Sequence, residues 1–220
     1  LRQYLVDHNK FVPDLRRIGL GSEIVGPAAD EPVIPQLAAE LEPGKFIICV
    51  CTIEPRKNHA TLFNVWRHLY HHARENLVPL VIVGKIGWNT DNFLRSVVMC
   101  NYLYPEHIKI FNSVDDIGLE WLYRNCLFSV YPSHYEGWGL PVSESLAYGK
   151  FCLASSSSSM PESSAGLTEL IDPLDQKKWI DRIEHYLKNP EDITKWENYI
   201  KENYKPIQWD ESMKVFVESL

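Results

Sequence analysis

Two basic residues and two carboxylates are the groups in this chain best placed to hold a ligand. Arg56 and Lys57 are adjacent in the run Thr-Ile-Glu-Pro-Arg-Lys-Asn over Thr52–Asn58. Glu136 and Glu144 bracket the run Glu-Gly-Trp-Gly-Leu-Pro-Val-Ser-Glu, with seven residues between them. Neighbouring cations attract a diphosphate through charge-assisted hydrogen bonds. Gly137 and Gly139 let backbone approach a ligand closely, and a helix starting near Leu140 presents unpaired amides and a positive dipole end to an anion. Glu144 then lies about 6 Å further along the helix axis at 1.5 Å per residue. That offset suits a carboxylate that accepts hydrogen bonds from ribose hydroxyls beyond the phosphates. Glu136, in the loop before the helix, would face the other end of the ligand, where a sugar's hydroxyls lie. The pattern fits a nucleoside-diphosphate sugar.

Taken singly, each feature has a plainer reading. Arg56 and Lys57 alone suit a solvated helix start, and Glu144 alone a surface helix carboxylate. Gly137-x-Gly139 lacks the third glycine of a dinucleotide fingerprint, and Gly84-Lys85 has no phosphate-loop spacing. His68 and His72 are four apart on a helix, yet no thiol or carboxylate partner is evident, so an exposed polar face is favoured over a metal site. Five cysteines (Cys49, Cys51, Cys100, Cys126 and Cys152) lack CxxC pairing. They indicate neither a zinc knuckle nor a disulfide framework, and Cys49 and Cys51 sit in an apolar run that suits buried thiols. No metal site is expected.

These groups must be positioned by regular elements, and from Lys45 onward short apolar runs alternate with amphipathic stretches. Strands are expected at Phe46–Cys51, Leu80–Val83, Ile108–Phe111, Leu127–Tyr131, Phe151–Ala154 and Glu169–Ile171. Helices are expected at Asn58–Glu75, Asp91–Tyr102, after Asp115 or Asp116, from Pro141 to Tyr148, and at Gln176–Lys188, Thr194–Asn203 and Asp210–Leu220. Gly149 is the expected stop of the fourth helix. Alternation with short connections implies a doubly wound, Rossmann-like α/β domain with a parallel sheet covered on both faces. In such sheets ligands bind outside the carboxyl ends of the strands, where Thr52–Asn58 and Pro132–Glu144 both fall. Residues 1–44, broken by five prolines, read as a helix remnant, a short strand near Arg17–Ile24 and a linker. Ser155–Ser159 reads as a loop.

Composition narrows the function. A net charge of −7 argues against a broad nucleic-acid surface, which needs clustered Lys and Arg. The apolar runs are too short to span a bilayer, and no basic-then-apolar leader opens the sequence. With thiols that read as reduced, a cytoplasmic setting is expected.

Together the ordered motifs resemble retaining GT-B glycosyltransferases of family 4. The Glu136/Glu144 run is similar to that family's Glu-x7-Glu motif, and Glu54–Asn58 to its Glu-Pro-Arg-Lys-Asn loop. Phe111–Tyr123 is similar to the stretch that meets the nucleobase, around Val114. Ser155–Glu162, Asp172-Pro173 and Trp209–Ser212 match later landmarks. The resemblance implies the C-terminal, donor-binding half of a GT-B fold. Residues 1–44 would be the tail of an N-terminal acceptor domain and the linker, 45–204 the nucleotide-sugar domain, and 205–220 a crossing helix. It implies that Arg56 and Lys57 grip the donor diphosphate with amides near Gly139 and Leu140, that Glu144 holds ribose, and that Glu136 meets the transferred sugar.

Transfer is expected to retain configuration and to need no cofactor or metal. Expected partners are the nucleotide sugar, a glycan or lipid-linked acceptor, and the chain's own N-terminal domain, through which it would sit at the periphery of the inner membrane face. The run Gly84–Trp88 resembles bacterial mannosyl- and O-antigen-type transferases and gives GDP-mannose a lead over UDP-sugars. The chain departs from the family at Cys51-Thr52, where many members carry Gly-Arg, at Phe151 and at Ala165-Gly166. Alternatives are a GT-B nucleotide-sugar epimerase, which would epimerise donor with no acceptor present, and a non-catalytic binding module, which would lack acceptor-side residues.

Overall fold

The computed structural model describes residues 6–8, 10–11, 18, 20–22, 24 and 39–218. Six strands, β1 (Ile47–Val50), β2 (Leu80–Val83), β3 (Ile108–Phe111), β4 (Phe128–Tyr131), β5 (Cys152–Ser155) and β6 (Glu169–Ile171), form one sheet. Its order is β3-β2-β1-β4-β5-β6 and every neighbouring pair is parallel. The doubly wound parallel sheet expected over Lys45–Asp172 is therefore present.

Side chains alternate across a strand, so β1 feeds two cores. Ile47 and Cys49 join Leu62, Val65, Trp66 and Leu69 of helix α1 (His59–His72) and Trp179 of helix α6 (Gln176–Lys188) on one face. Ile48 joins Val81, Val83, Leu122 and Tyr123 on the other, under helix α3 (Asp116–Asn125). Buried on both sides, β1 and β2 read as continuous apolar runs rather than alternating ones.

The remaining helices are α2 (Asp91–Met99), α4 (Leu140–Ala147), α5 (Met160–Ser163), α7 (Pro190–Asn203) and α8 (Trp209–Glu218). Boundaries differ from expectation where turn chemistry acts. Helix α1 ends at His72, and a separate 3₁₀ turn covers Arg74–Asn76. Helix α2 stops at Met99, three residues early, with a turn at 101–107 following. Helix α7 starts at Pro190 rather than Thr194, because proline suits the first turn and Glu191 and Asp192 favour the positive end. The loop expected over Ser155–Glu162 contains the short α5.

Asp115 is the residue that caps α3, accepting from the Gly118 amide at 2.7 Å. Helix α8 packs away from the sheet: Ser212 is its buried residue, and Ser22 N donates to Ile207 O beside it at 3.0 Å. Of the strand expected near Arg17–Ile24, the described residues Ile18, Leu20–Ser22 and Ile24 are not in a strand, and the rest lies outside the described residues. The helix remnant expected at the chain start lies largely outside them too. Among the described residues no helix is long and apolar enough to cross a membrane.

The chain runs outward from β1 to β2 and β3, then returns to place β4 on the other side of β1. The strand order reverses between β1 and β4, so their carboxyl ends open a crevice there.

Candidate functional site

The loops that leave β1 and β4 face each other across this crevice and are tied together. After β1, Pro55–Lys57 makes a 3₁₀ turn and Asn58 takes the left-handed conformation (φ 59°). The Asn58 side-chain amide donates to Pro132 O at 3.1 Å and to Pro173 O at 3.0 Å, and its oxygen accepts from Thr61. Arg56 O accepts from the His134 amide and from Ser133 Oγ. Only glycine serves at Gly84, after β2: its φ is 152°, and a Cβ there would lie 2.1 Å from Cys51 O. The β1 loop is thereby pressed between its two neighbours, which aims Lys57 into the crevice.

There Lys57 meets Glu136. Lys57 Nζ lies 2.6 Å from Glu136 Oε1 and donates to the Tyr131 hydroxyl at 2.9 Å. Arg56 Nη1 pairs with Glu136 Oε2 at 2.9 Å, and Arg56 also binds Glu54. Ser133 Oγ donates to Glu136 Oε1 at 2.6 Å. Lys57 and Glu136 are each 8% exposed. Burial pushes the Glu136 carboxyl up, but hydrogen bonds from Lys57 and Ser133 and the Lys57 charge outweigh it and hold the carboxyl below its ordinary range. Burial, with negative charge at Cys51 and Glu136, pushes the Tyr131 hydroxyl well up, so it remains a proton donor.

Gly139 precedes α4 at φ 97°, and a Cβ there would lie 2.4 Å from Met160 Cε. Glycine is required by that conformation, and the Met160 side chain would have to shift to admit a Cβ. The serine run braces this turn from behind: Ser158 Oγ accepts from the Glu136 amide, and Ser159 Oγ donates to the carbonyls of Glu136 and Trp138. One turn along α4, Glu144 accepts from Tyr123 Oη at 2.8 Å; burial raises its carboxyl and that hydrogen bond opposes the rise.

Lys57, Tyr131, Glu136, Trp138, Gly139, Leu140 and Glu144 share one cavity of about 390 Å³, completed by Leu20, Val50 and Leu119 among others. Trp138 is part of its wall, and among the described residues its buried indole Nε1 has no hydrogen-bond partner. The cavity thus offers a buried cation, a helix amino end, and a carboxylate at each side.

Of the residues singled out in the sequence, Lys57, Glu136, Gly139, Leu140 and Glu144 converge on this cavity. Arg56 stands behind it, in contact through Glu136. Val114 is not in its wall; it is half-buried against the second core, and Leu119 of α3 takes the wall position. Lys57 and Arg56, expected to grip the donor diphosphate, are both paired with Glu136. Tyr131, Ser133, Tyr123 and Trp138 were missed. Tyr131 ends a strand at the ligand-facing edge, and Tyr123 is a buried phenol that needs a hydroxyl partner; those were the available signals. The structure also gathers Cys49, Cys51 and His59, whose ligating atoms lie within 4.8 Å of one another and are buried. Cys51 Sγ is 3.4 Å from His59 Nε2, and although burial raises its thiol, hydrogen bonds from Cys49 and His59 carry it below its ordinary value. Spacing alone did not reveal this cluster, because its third member comes from α1.

The sequence profile of glycosyl transferases group 1 matches residues 32–203. Over 130 residues the chain is 32% identical to the O-antigen chain mannosyltransferase B of Escherichia coli, covering 59% of this chain and 33% of that protein. Over 113 residues it is 33% identical to the E. coli serotype-specific mannosyltransferase WbdA, covering 49% of this chain and 13% of that protein. The chain therefore spans a third or less of these relatives. In fold it is similar to S. aureus TarM, with a TM-score of 0.68 and 16% identity over 99% of this chain and 41% of TarM. It is also similar to WaaG, a glycosyltransferase involved in lipopolysaccharide biosynthesis, with a TM-score of 0.66 and 15% identity over 82% of this chain and 48% of WaaG.

Proposed function

The chain belongs to the glycosyl transferases group 1 family, and from that premise we propose that it is the donor-binding unit of a retaining glycosyltransferase. The reaction moves a hexose from a nucleoside-diphosphate sugar to a glycan or lipid-linked acceptor. The observation that carries this reading is the convergence of Lys57, Glu136, Gly139 and Glu144 on one cavity at the β1/β4 crevice.

In this reading the diphosphate lies against the amino end of α4 with Lys57 as its buried cation, and Arg56 acts on it from behind Glu136. Ribose reaches Glu144, and the transferred sugar faces Glu136. As the bond from the sugar's anomeric carbon to the phosphate oxygen breaks, charge builds on the departing diphosphate. Donors already fixed in place stabilise that charge without reorganising. These groups do the work a divalent cation does elsewhere, so turnover is expected to survive chelation. The mannosyltransferase names of the relatives support GDP-mannose as donor. A second domain supplied by the longer protein would bring the acceptor.

Calorimetric titration with GDP, UDP and ADP tests the reading. Binding of one diphosphate, in preference to its nucleoside and unaffected by EDTA, is the expected result. Failure of all three to bind removes the proposal.

A further inference from the structure

A second cavity, of about 330 Å³, opens beside the first on the same edge of the sheet. Its wall comes from the segments after β1, β2 and β4: Glu54 and the first residue of α1, His59; then Asn89 with Asn92 and Phe93 of α2; then His134. Asn89, Asn92 and His134 are exposed, and among the described residues their side chains make no hydrogen bond within the protein. His59 is 3% exposed, and its Nδ1 is buried without a partner among the described residues. The cavity therefore combines the exposed amides of Asn89 and Asn92 and the imidazole of His134, which can both donate and accept, with the apolar side chains of Ile53, Pro55, Ala60 and Phe93.

Its one carboxylate is already neutralised. Glu54 Oε1 takes two hydrogen bonds from Arg56, and Glu54 Oε2 accepts from Trp88 Nε1 at 3.1 Å. That bond holds Trp88, 64% exposed, beside the cavity. On the other flank Arg56 Nη1 donates to Tyr135 O at 2.6 Å, and the Tyr135 ring is 65% exposed. Charged ligands have no partner here, whereas a polyhydroxylated neutral ring does. Hydroxyls would meet the amides and imidazoles, and the polarised C–H face of a pyranose would meet an aromatic ring's negative face.

The same side chains place this cavity relative to the first. Arg56 joins Glu54 of the second cavity to Glu136 of the first through direct contacts on both sides. A sugar in the second cavity would lie beyond the sugar end of the donor.

We propose that the cavity formed by His59, Asn89, Asn92, Phe93 and His134, flanked by Trp88 and Tyr135, is a subsite for a neutral pyranose of the acceptor glycan, remote from the reacting hydroxyl. It rests on the donor-site reading above. It gives this domain its own share of acceptor recognition, so an acceptor already several sugars long is held better than a single sugar.

The test uses saturation-transfer NMR titration of this chain with disaccharides of mannose, glucose, galactose and N-acetylglucosamine, with GDP, UDP and ADP titrated in parallel. At least one disaccharide binds, and Trp88→Ala and Asn92→Ala, both at exposed positions, each weaken it by about tenfold with diphosphate affinity unchanged. Diphosphate binding without disaccharide binding, or disaccharide binding indifferent to both substitutions, overturns the subsite and leaves the donor site standing. Failure of every nucleotide overturns the donor reading, and the subsite with it.

Discussion

Replacing Glu136 by glutamine should tighten the binding of a nucleoside diphosphate, not weaken it. In the ligand-free protein the carboxylate lies 2.6 Å from Lys57 Nζ and 2.9 Å from Arg56 Nη1. It neutralises both cations, and on the proposed reading an incoming diphosphate must share them with it or displace it. Each charge-assisted hydrogen bond contributes about 1.5–3 kcal/mol. Glutamine keeps one acceptor oxygen and the shape, so the competition removed is about 1–2 kcal/mol, roughly a five- to thirtyfold gain in affinity. The ligand-free protein should lose stability at the same time, because Lys57 is 8% exposed and left without its counter-charge. Calorimetry of GDP and UDP, with the nucleosides as controls, measures the first effect, and thermal unfolding the second. The gain should be confined to diphosphates. Unchanged or weaker diphosphate affinity would refute the competition, and equal gains for nucleoside and diphosphate would refute the placement of the phosphates. On the proposed reading, turnover by the longer protein should still fall, since that reading puts Glu136 on the sugar side, with a contribution in the transition state.

Three further outcomes are expected. Lys57→Ala should weaken diphosphate binding by about ten- to a hundredfold while leaving nucleoside affinity nearly unchanged, read by the same titrations; equal losses for both would show that Lys57 does not hold phosphate. Gly139→Ala should lower the melting temperature and abolish diphosphate binding, because the left-handed conformation costs roughly 1–2 kcal/mol and the new methyl collides with Met160; a variant as stable and as tight as the parent would contradict this. Glu136 is held below its ordinary pKa when folded, so the stability it contributes is present above the unfolded value, about 4.3, and is lost as pH falls through the lower folded value. Denaturation of the parent and Glu136→Gln across about pH 3–7 should therefore show the parent's advantage at neutral pH shrinking in acid, and a constant difference would remove the ion pair as its source.

Sequence alone was enough for the class of the fold and for part of the lining of the β1/β4 cavity: Lys57, Glu136, Gly139, Leu140 and Glu144. Apolar runs such as Ile47–Val50 and Leu80–Val83 can be satisfied only by a sheet covered on both faces. Pro141 and Gly149 marked the start and end of α4, and Glu136, Gly139 and Glu144 were legible because their roles depend on spacing along one turn and one helix. Lys57 was legible for the same reason, standing where a strand gives way to a helix. What required tertiary structure was every relation between segments far apart in sequence. The pairing of Lys57 and Arg56 with Glu136 joins residues 79 positions apart in the Lys57 case, and no local pattern encodes it. Tyr123 and Tyr131 read as apolar positions, because periodicity registers a ring and not where its hydroxyl points. The serine run read as a loop and proved to brace the Gly139 turn, a role set by what packs against it. The Cys49–Cys51–His59 cluster arises only where α1 folds back against β1, and the second cavity only where the segments after β1, β2 and β4 are brought together. Local chemistry fixes which residues are able to act; the sheet order, by reversing between β1 and β4, decides which of them meet.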